Sequence, residues 1–315
     1  MFIYNFLTKR CISDYSEGMQ AKSIELDAYL PFVDETEVIK ELIQTNLSKG
    51  ISFPKARANA FEKIHSKEIG EVLKKPNNLL AVEYLKAMGK TKSSYNAVTI
   101  KRKGAEHDSE ISSDKIASAS YIRENLSQSS IISQKFVPCN AFEKYMEEIC
   151  KKNAPVFLKN AEKAIIYKLR SMNREDFYRV SDISEGIENR IIHAANNCTS
   201  LEELFEQIKN KRYTMARIKR IICCVFNDIS SRIQKEDPPY IRVLAFNERG
   251  REILKRMNDT ATLPFSVSLA KLSNENEMCK EFAIVESRCT DNFWLCSSKI
   301  FKKGLDYATK VAIIK

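Results

Sequence analysis

The sequence is poor in the residues that build several common kinds of site. It holds three histidines, His65, His107 and His193, and no two are close enough to form a His-x-Gly-His or His-x-x-His motif. Its nine cysteines include no Cys-x-x-Cys, and their odd number and irregular spacing favour neither a zinc site nor a disulfide framework. Eight glycines and eight prolines in 315 residues predict a helix-rich chain with few tight turns.

Long apolar runs are also missing, whereas positive charge is abundant. The apolar stretch at residues 2–7 is too short and too polar for a signal sequence or a membrane span, so we expect a cytoplasmic protein without a membrane partner. The net charge is +10 and the pI is about 9.0, which suits a polyanionic partner. A protein that is basic without such a partner is the alternative. The length predicts two domains.

A serine-rich helix start follows a predicted strand and a basic loop. The strand is Val98–Ile100, the loop is Lys101–Gly104, and Ser118 and Ser120 stand where a second loop turns into a helix, with Arg123 one turn later. Free backbone N–H groups and the helix dipole attract phosphate at such a start, and hydroxyls and a guanidinium add donors. The order resembles the last third of a nucleotidyltransferase-type Rossmann unit. An ordinary N-capped surface helix is the alternative.

Several short motifs occur in a fixed order. They are Ser52-Phe-Pro-Lys-Ala-Arg57, Pro76-Asn-Asn-Leu-Leu80 with Glu83-Tyr-Leu85, Lys101-Arg-Lys-Gly104 with His107-Asp108, Ala117-Ser-Ala-Ser-Tyr-Ile-Arg123, Ser184-Glu-Gly-Ile-Glu-Asn-Arg190, Lys211-Arg-Tyr-Thr214 with Arg217 and Arg220, and Pro239-Tyr-Ile-Arg-Val-Leu244 with Phe246-Asn247. Through them the chain resembles the bacterial tRNA(Met) cytidine acetate ligases, from about residue 28 to about residue 270.

The resemblance implies an ATP-dependent ligase. Such an enzyme activates acetate as acetyl-adenylate and acetylates the exocyclic amine of the wobble cytidine of elongator tRNA(Met). Magnesium usually accompanies ATP in sites of this kind. The nucleotide-binding residues that the resemblance implies are Asn77 (with Asn78 as the register alternative), Arg102, Lys103, Ser118, Ser120 and Arg123. A helix cap at Asn77 and a solvated Arg102 are open alternatives, and His107 and Asp108 are left as loop residues without a catalytic assignment.

The family's first motif has no counterpart in these residues. That motif is a Gly- and His-containing loop of the type Asn-Pro-Phe-His-Asn-Gly-His, and the run Met1–Leu7 is not followed by a glycine-rich turn. We therefore expect the 315 residues to lack the first strand, loop and helix of the nucleotide fold. A catalytically inactive tRNA-binding fragment is the alternative function. A third hypothesis, an adenylyltransferase that makes a dinucleotide cofactor, does not account for the long basic helical region.

That basic region lies between two predicted helices. Residues 201–208 and 218–225 each carry an apolar stripe, and Ser200 and Glu203 have capping-box spacing. The connector and the second helix start contain six cations and no acid, which favours contact with an RNA backbone over a merely solvated basic face. The expected RNA-binding residues are Lys209, Lys211, Arg212, Tyr213, Arg217, Lys219 and Arg220, with Tyr213 as a stacking surface. No dimer signal or recognition-helix pattern supports DNA binding.

These patterns predict an α-rich α/β fold. Residues 1–133 form the carboxyl-terminal part of a Rossmann-type nucleotidyltransferase-like domain, and residues 134–315 form a mainly helical tRNA-binding domain. The remaining element predictions are helices over 38–47 (an apolar stripe followed by Gly50), 56–73, 78–88 (closed by Gly89), 160–172 (with Tyr167 among its apolar positions), 181–195 and 250–256, and a strand over 239–246. Arg242 in that strand is expected either to meet RNA or to form a salt bridge, and residues 275–315 carry no recognised motif.

Overall fold

The computed structural model describes residues 35–74, 76–91, 117, 119–128, 134–184 and 186–314. The chain separates into two compact units, one formed by residues 1–122 with 210–214 and the other by residues 123–209 with 215–315. The predicted strand at 98–100 and the loops around it lie outside the described residues, as do residues 129–133. The domain boundary at 133 therefore stays a prediction, whereas the prediction of an α-rich chain is confirmed.

Four helices pack around one core in the first unit. The described helices are α1 (Glu37–Ser48), α2 (Phe53–Ile64), α3 (Lys67–Lys74), α4 (Pro76–Lys90) and α5 (Ala119–Gln128), and the division between the units falls within α5. Ile39, Ile43, Phe61, Leu73 and Val82 are almost fully buried and join α1 to α4 in one apolar cluster. The apolar stripe that predicted α1 therefore faces a core, as an amphipathic helix requires.

The single helix predicted over 56–73 is wrong, because the chain forms α2 and α3 instead. The Ser66 hydroxyl accepts a hydrogen bond from the Ile69 backbone N–H at 3.4 Å and so caps a new helix. Gly70 lets the two helices approach, since a Cβ at this position would lie 2.7 Å from the Cβ of Glu62. The predicted end at Gly89 is also wrong, because α4 continues through that residue to Lys90.

The second unit is built mainly from helices. Its elements are α6 (Cys139–Cys150), a 3-10 helix (Leu158–Ala161), α7 (Glu162–Arg170), α8 (Arg174–Phe177), α9 (Ile187–Asn197), α10 (Leu201–Ile208), α11 (Met215–Phe226), α12 (Ser231–Lys235), β1 (Ile241–Arg242), β2 (Ala245–Phe246), α13 (Glu248–Thr260), β3 (Phe265–Ser266), α14 (Leu269–Ser273), α15 (Glu277–Leu295), α16 (Leu305–Ala308) and β4 (Ala312–Ile313).

Helices α7, α9, α10 and α11 pack on one another and bury the stripes that the sequence predicted. Leu204 and Ile208 of α10 and Ile218, Ile221 and Ile222 of α11 are at most 1% exposed. The Ser200 hydroxyl accepts from the Glu203 backbone N–H at 3.1 Å, which confirms the predicted cap of α10. The Glu203 carboxylate in turn accepts from the backbone N–H of Thr199, one residue before the cap.

The helix predicted to begin at Ser181 begins six residues later, at Ile187. Asp182 and Gly186 both adopt positive φ angles, 66° and 78°, which no α-helix accommodates. The backbone therefore turns twice before α9 can start. The residues at 181–185 carried no sequence signal for this turn, and only the glycine that follows them did.

Three arginines of this unit close the carboxyl ends of helices. Arg170 donates to the carbonyls of Ala195 and Cys198 at the end of α9, at 2.7 and 3.0 Å. Arg190 does the same for the last two carbonyls of α10, and Arg288 binds the carbonyls of Asn227 and Asp228 just after α11. Such ends leave carbonyls without partners inside the helix and carry partial negative charge, so a guanidinium stabilises them.

The strand predicted over 239–246 is two short strands with different partners. Ile241 of β1 pairs with Phe265 of β3, and Ala245 of β2 pairs with Ala312 of β4, both in parallel. The backbone changes partner between Val243, which donates to the Ser266 carbonyl, and Leu244, whose carbonyl accepts from Ala312. The helix predicted after it is confirmed with wider bounds, because Asn247 caps α13 through the Gly250 N–H.

A buried polar network ties β1 to the carboxyl-terminal segment. The Arg242 side chain is 8% exposed and lies 2.7 Å from the Glu286 carboxylate and 3.0 Å from that of Asp306. The Tyr240 hydroxyl donates to Glu286 at 2.6 Å, and burial together with this carboxylate raises the pKa of Tyr240. Of the two expectations for Arg242, the structure therefore supports the salt bridge. This network also gives α15 and α16 a structural role that no sequence motif predicted.

Candidate nucleic-acid interface

The helices expected to hold a nucleotide are present where the sequence placed them. Asn77 and Asn78 lie in the first turn of α4, and α5 begins directly after Ser118. Ser120 is the second residue of α5, and Arg123 follows within its first two turns with an exposed side chain. A helix N-terminus therefore stands at the predicted serine-rich position, which is the geometry that favours an anion.

The nucleotide contacts themselves stay predictions. Arg102, Lys103 and Ser118 lie outside the described residues, as do His107 and Asp108. The side chains of Asn77 and Ser120 lie outside them as well, although their helices are described.

Two of the shared motifs meet at Arg57. This arginine belongs to the motif at 52–57 and donates to Glu83, from the motif at 83–85, at 2.9 Å. Its Nε also lies 2.9 Å from the Glu35 carboxylate, as a charge contact without an aligned hydrogen bond. The Arg57 side chain is 8% exposed, so the ion pairs fix α4 on α2 within the first unit. Arg57 and Glu83 therefore stabilise the packing of the helix that contains Asn77.

Two of the expected RNA-binding arginines sit on α11 and anchor the turn before α9. Arg217 donates to the Asp182 carbonyl at 2.9 Å and to the Ser184 hydroxyl at 2.7 Å. Arg220 forms an ion pair with the Asp182 carboxylate at 2.6 Å, and its side chain stays 56% exposed. Both guanidiniums therefore have a structural partner. The Arg220 side chain also has a surface that faces solvent.

The other expected cations lie on the surface. Lys219 is exposed, with its ammonium 5.8 Å from the centre of the Phe205 ring. Lys209, Lys211 and Arg212 are exposed along the connector. An Asx turn shapes this connector, because the Asn210 side-chain oxygen accepts from the backbone N–H groups of the second and third residues after it, at 2.8 Å each. The connector thus presents its cations from an ordered turn.

Tyr213 is buried, contrary to the expectation from the sequence. Its side chain was expected to offer an open stacking surface, but it is 3% exposed. A base needs a free ring face to stack, so Tyr213 has no such role in this structure. The position of a tyrosine within a basic run of sequence does not show whether its ring points outward or inward.

A different tyrosine, which sequence analysis did not assign to RNA binding, is exposed. Tyr167 was treated as an apolar position of a helix, yet it is 74% exposed on α7. Lys163 precedes it by four residues and Arg170 follows it by three, which places all three on one helix face. The sequence shows this aromatic residue between two cations at helical spacing, but that spacing alone does not show that the ring is exposed.

Neither a metal site nor a membrane-spanning helix is found among the described residues. They hold no group of three or more His, Cys, Asp or Glu side chains arranged for a metal ion. Of the helices that they form, none is long and apolar enough to cross a membrane.

Comparison with known proteins relates nearly the whole chain to one family. The sequence profile of the HIGH Nucleotidyl Transferase family matches residues 10–306, which extends beyond the motif resemblance at both ends. The tRNA(Met) cytidine acetate ligase of Thermoanaerobacter sp. (strain X514) is 34% identical over 305 residues, covering 94% of this chain and 74% of the relative. The same ligase of Acetivibrio thermocellus is 30% identical, covering 95% and 75%.

Solved structures agree with this relationship. The apo structure of Thermotoga maritima TmcAL superposes with a TM-score of 0.84 at 26% identity, covering 92% of this chain and 74% of that one. The structure of the same protein bound with alpha-thio ATP superposes with a TM-score of 0.83 at 25% identity, covering 96% and 75%. Sequence identity above 30% with these ligases and agreement of the fold point the same way: this chain belongs to the tRNA(Met) cytidine acetate ligase family of HIGH nucleotidyl transferases.

Proposed function

We propose that this chain takes part in ATP-dependent acetylation of elongator tRNA(Met) at its wobble cytidine. The observation that carries the proposal is the agreement with the ligase relatives over more than nine-tenths of the chain. A solved relative bound to an ATP analogue supports ATP as the activating substrate. The reaction belongs in the cytoplasm, where ATP, acetate and tRNA occur together.

The chemistry proceeds in two steps. An acetate oxygen attacks the α-phosphorus of ATP, and pyrophosphate leaves, which gives acetyl-adenylate. The exocyclic amine of cytidine then attacks the acetyl carbonyl, AMP leaves with the electrons of the broken C–O bond, and the amine loses a proton. The mixed anhydride is needed because AMP is a far better leaving group than the oxygen of free acetate. Catalysis of the first step is mainly positioning and neutralisation of charge.

The residues proposed for the first step are those that the family resemblance implies. Asn77 hydrogen-bonds the nucleotide from α4, and the phosphates meet the cradle formed by Arg102, Lys103, Ser118, Ser120 and Arg123. Magnesium accompanies the nucleotide and neutralises phosphate charge. Because Mg²⁺ usually keeps water ligands and binds through substrate phosphates with one or two carboxylates, a dedicated group of protein ligands is not required.

The second unit is proposed to hold the tRNA through its exposed cations. Lys209, Lys219 and Arg220 are open to solvent at the carboxyl end of α10 and on α11. The surplus of positive charge supports a polyanion as partner, since the net charge is +10. Arg217 of the same unit completes this set. Lys211 and Arg212, which belong to the 210–214 segment of the first unit, are proposed to contact the tRNA as well.

A direct assay tests the enzymatic part. Residues 1–315 contain no His-x-Gly-His sequence, so we expect the purified chain to bind tRNA but to release no pyrophosphate in the presence of ATP and acetate. A fusion that adds an amino-terminal segment with the family's Gly- and His-containing loop is expected to gain acetate-dependent pyrophosphate release. The matched control is the same fusion with the histidines of that segment changed to alanine.

The assay also separates the alternative function. Robust acetate-dependent pyrophosphate release by the unfused chain contradicts the assignment of the first step to the absent motif. A fusion that binds tRNA yet stays inactive favours the tRNA-binding fragment without catalysis. The observation behind this second candidate is the absence of the His-containing motif from the sequence.

A further inference from the structure

The exposed face of α7 has no assigned role. Tyr167 is 74% exposed, more than any other aromatic side chain in the described parts of the chain. A single exposed aromatic ring is common on protein surfaces, but an exposed ring with a cation on either side combines the groups that hold a base and its phosphates. Lys163 lies one turn before the ring and Arg170 one turn after it, at about 6 and 4.5 Å along the helix axis.

A groove runs beside this face. It is a depression of about 530 Å³ that is open to solvent, and it is lined by Tyr167, Lys163 and Arg170 together with Glu162, Ile166, Cys198 and Thr199. That space is sufficient for a group the size of one nucleotide. Every lining residue belongs to the second unit, so the groove is complete within one compact body.

The two cations differ in a way that suits a binding site. The Arg170 guanidinium is fixed by two carbonyls at the end of α9, at 2.7 and 3.0 Å, and therefore stands in place before any ligand arrives. Lys163 is exposed, and none of the described residues forms an ion pair with it. One cation is preorganised and the other is available to follow a flexible backbone.

The acidic residue of the groove is also held. The Glu162 carboxylate accepts from the backbone N–H of Leu201 at 2.6 Å. Its charge is thus directed partly toward the start of α10, where the helix dipole favours it. The two cations that flank Tyr167 outnumber this one carboxylate, so the face as a whole attracts an anion.

We propose that the face formed by Lys163, Tyr167 and Arg170 binds one unpaired nucleotide of an RNA, with the base stacked on Tyr167 and the flanking phosphates at the two cations. Base stacking on an aromatic ring combined with cationic contacts to the backbone is the usual way in which proteins hold single-stranded nucleic acid. The proposal rests on the proposed function in one respect, because it takes RNA as the partner of the second unit.

Binding of the full chain to a tRNA transcript and to a single-stranded RNA 10-mer tests this. We expect Tyr167→Ala to weaken binding of the 10-mer roughly 5- to 150-fold, the range that corresponds to about 1–3 kcal/mol for one stacked base. Tyr167→Phe is expected to bind as the unsubstituted chain does, since the ring is retained. Tyr178→Ala is the matched control, because Tyr178 is another exposed tyrosine of the same unit, at 56% exposure.

The salt dependence of RNA binding distinguishes the contribution of base stacking from that of charge. Tyr167→Ala removes no charge, so the slope of log affinity against log salt is expected to stay unchanged. Lys163→Ala is expected to reduce that slope by about 0.7, the value for one phosphate of a single strand. A fully paired RNA duplex is expected to bind both the parent chain and Tyr167→Ala equally, because its bases are not available for stacking.

Several outcomes overturn the proposal. They are unchanged binding of the 10-mer by Tyr167→Ala, an equal loss in Tyr167→Phe, and an equal loss for duplex RNA. Concentration-dependent self-association that Tyr167→Ala abolishes in sedimentation also overturns it, because the ring is then covered by a second copy of the chain. Failure of the unsubstituted chain to bind any RNA contradicts the proposed function itself, whereas normal tRNA binding that ignores Tyr167 contradicts the nucleotide site alone.

Discussion

The second unit holds its arginines in two opposite ways. Around β1, Arg242 is enclosed with its two carboxylate partners, whose side chains are 18% and 11% exposed. On α11, Arg220 also pairs with a carboxylate, yet it and Asp182 remain 56% and 39% exposed. The same residue type and the same kind of partner thus give a buried structural element in one region and a solvent-facing cation in the other.

The difference shows why net charge is a weak guide to a binding surface. Arg57, Arg242 and Arg288 are engaged with carboxylates or helix-end carbonyls and are at most partly exposed. They contribute to the +10 of the sequence but are held by the protein itself. The cations that remain open to solvent are the ones whose removal affects a nucleic acid, and exposure decides which group a residue joins.

The largest expected effect is at the enclosed arginine. Arg242→Ala leaves two buried carboxylates without their cation, and we expect it to lower the free energy of unfolding by about 3–5 kcal/mol. Urea denaturation measures this. Arg232→Ala is the matched control, because the pair of Arg232 with Glu281 lies at the surface, and a change of about 0–1 kcal/mol is expected there.

Arg57 provides an intermediate case. Its side chain is as buried as that of Arg242, but its partners Glu35 and Glu83 are 31% and 50% exposed. After Arg57→Ala both carboxylates regain water, so we expect a smaller loss, about 1–3 kcal/mol. Equal losses in Arg57→Ala and Arg242→Ala, measured by the same denaturation, refute the idea that partner exposure sets the difference.

The two arginines on α11 are expected to affect binding more than folding. We expect Arg217→Ala with Arg220→Ala to weaken tRNA binding and to flatten its salt slope by about 0.7–0.9 for each phosphate that is no longer neutralised. Filter binding at several salt concentrations measures both quantities. Unchanged affinity and slope remove these two residues from the RNA-binding set.

Because both arginines also anchor the turn at Asp182, a second variant is needed. Asp182→Asn removes the carboxylate that pairs with Arg220, while asparagine tolerates the positive φ of this position. If the guanidiniums act on RNA, Asp182→Asn is expected to keep or strengthen tRNA binding. If Arg220 acts only by holding the turn through this carboxylate, Asp182→Asn reproduces the loss that Arg220→Ala shows.

Periodic apolar patterns predicted the helices of this chain well, whereas single polar residues were poor predictors of where the helices begin and end. The stripes at 201–208 and 218–225 are buried as expected, because helical periodicity directly encodes one apolar face. The break at Ser66 has a local cause, because the Ser66 hydroxyl caps the next helix. The left-handed backbone at Asp182 is held by a bond from the distant Arg217, and local sequence does not contain that contact.

The same limit applies to the site. Family motifs located the two helix starts, since short sequence patterns are shared with relatives that have the same fold. They did not show that Tyr213 points inward and Tyr167 outward, because burial is decided by how helices pack and both tyrosines stand beside cations. The side-chain direction of an aromatic residue therefore had to come from the structure.

The smallest expected effect concerns a fully exposed cluster on α6. Hydrogen bonds from Lys144 and Lys151 lower the pKa of Glu147 to about 2. Since the folded pKa lies below the ordinary value of 4.5, this carboxylate stabilises the fold above about pH 4.5, and the contribution is lost as the pH falls toward 2. Glu147→Gln is therefore expected to change the melting temperature slightly at pH 7 and not at pH 2. Because water screens exposed ion pairs, 1 M salt is expected to abolish the difference at pH 7, and a salt-resistant difference places Glu147 among the enclosed charges instead.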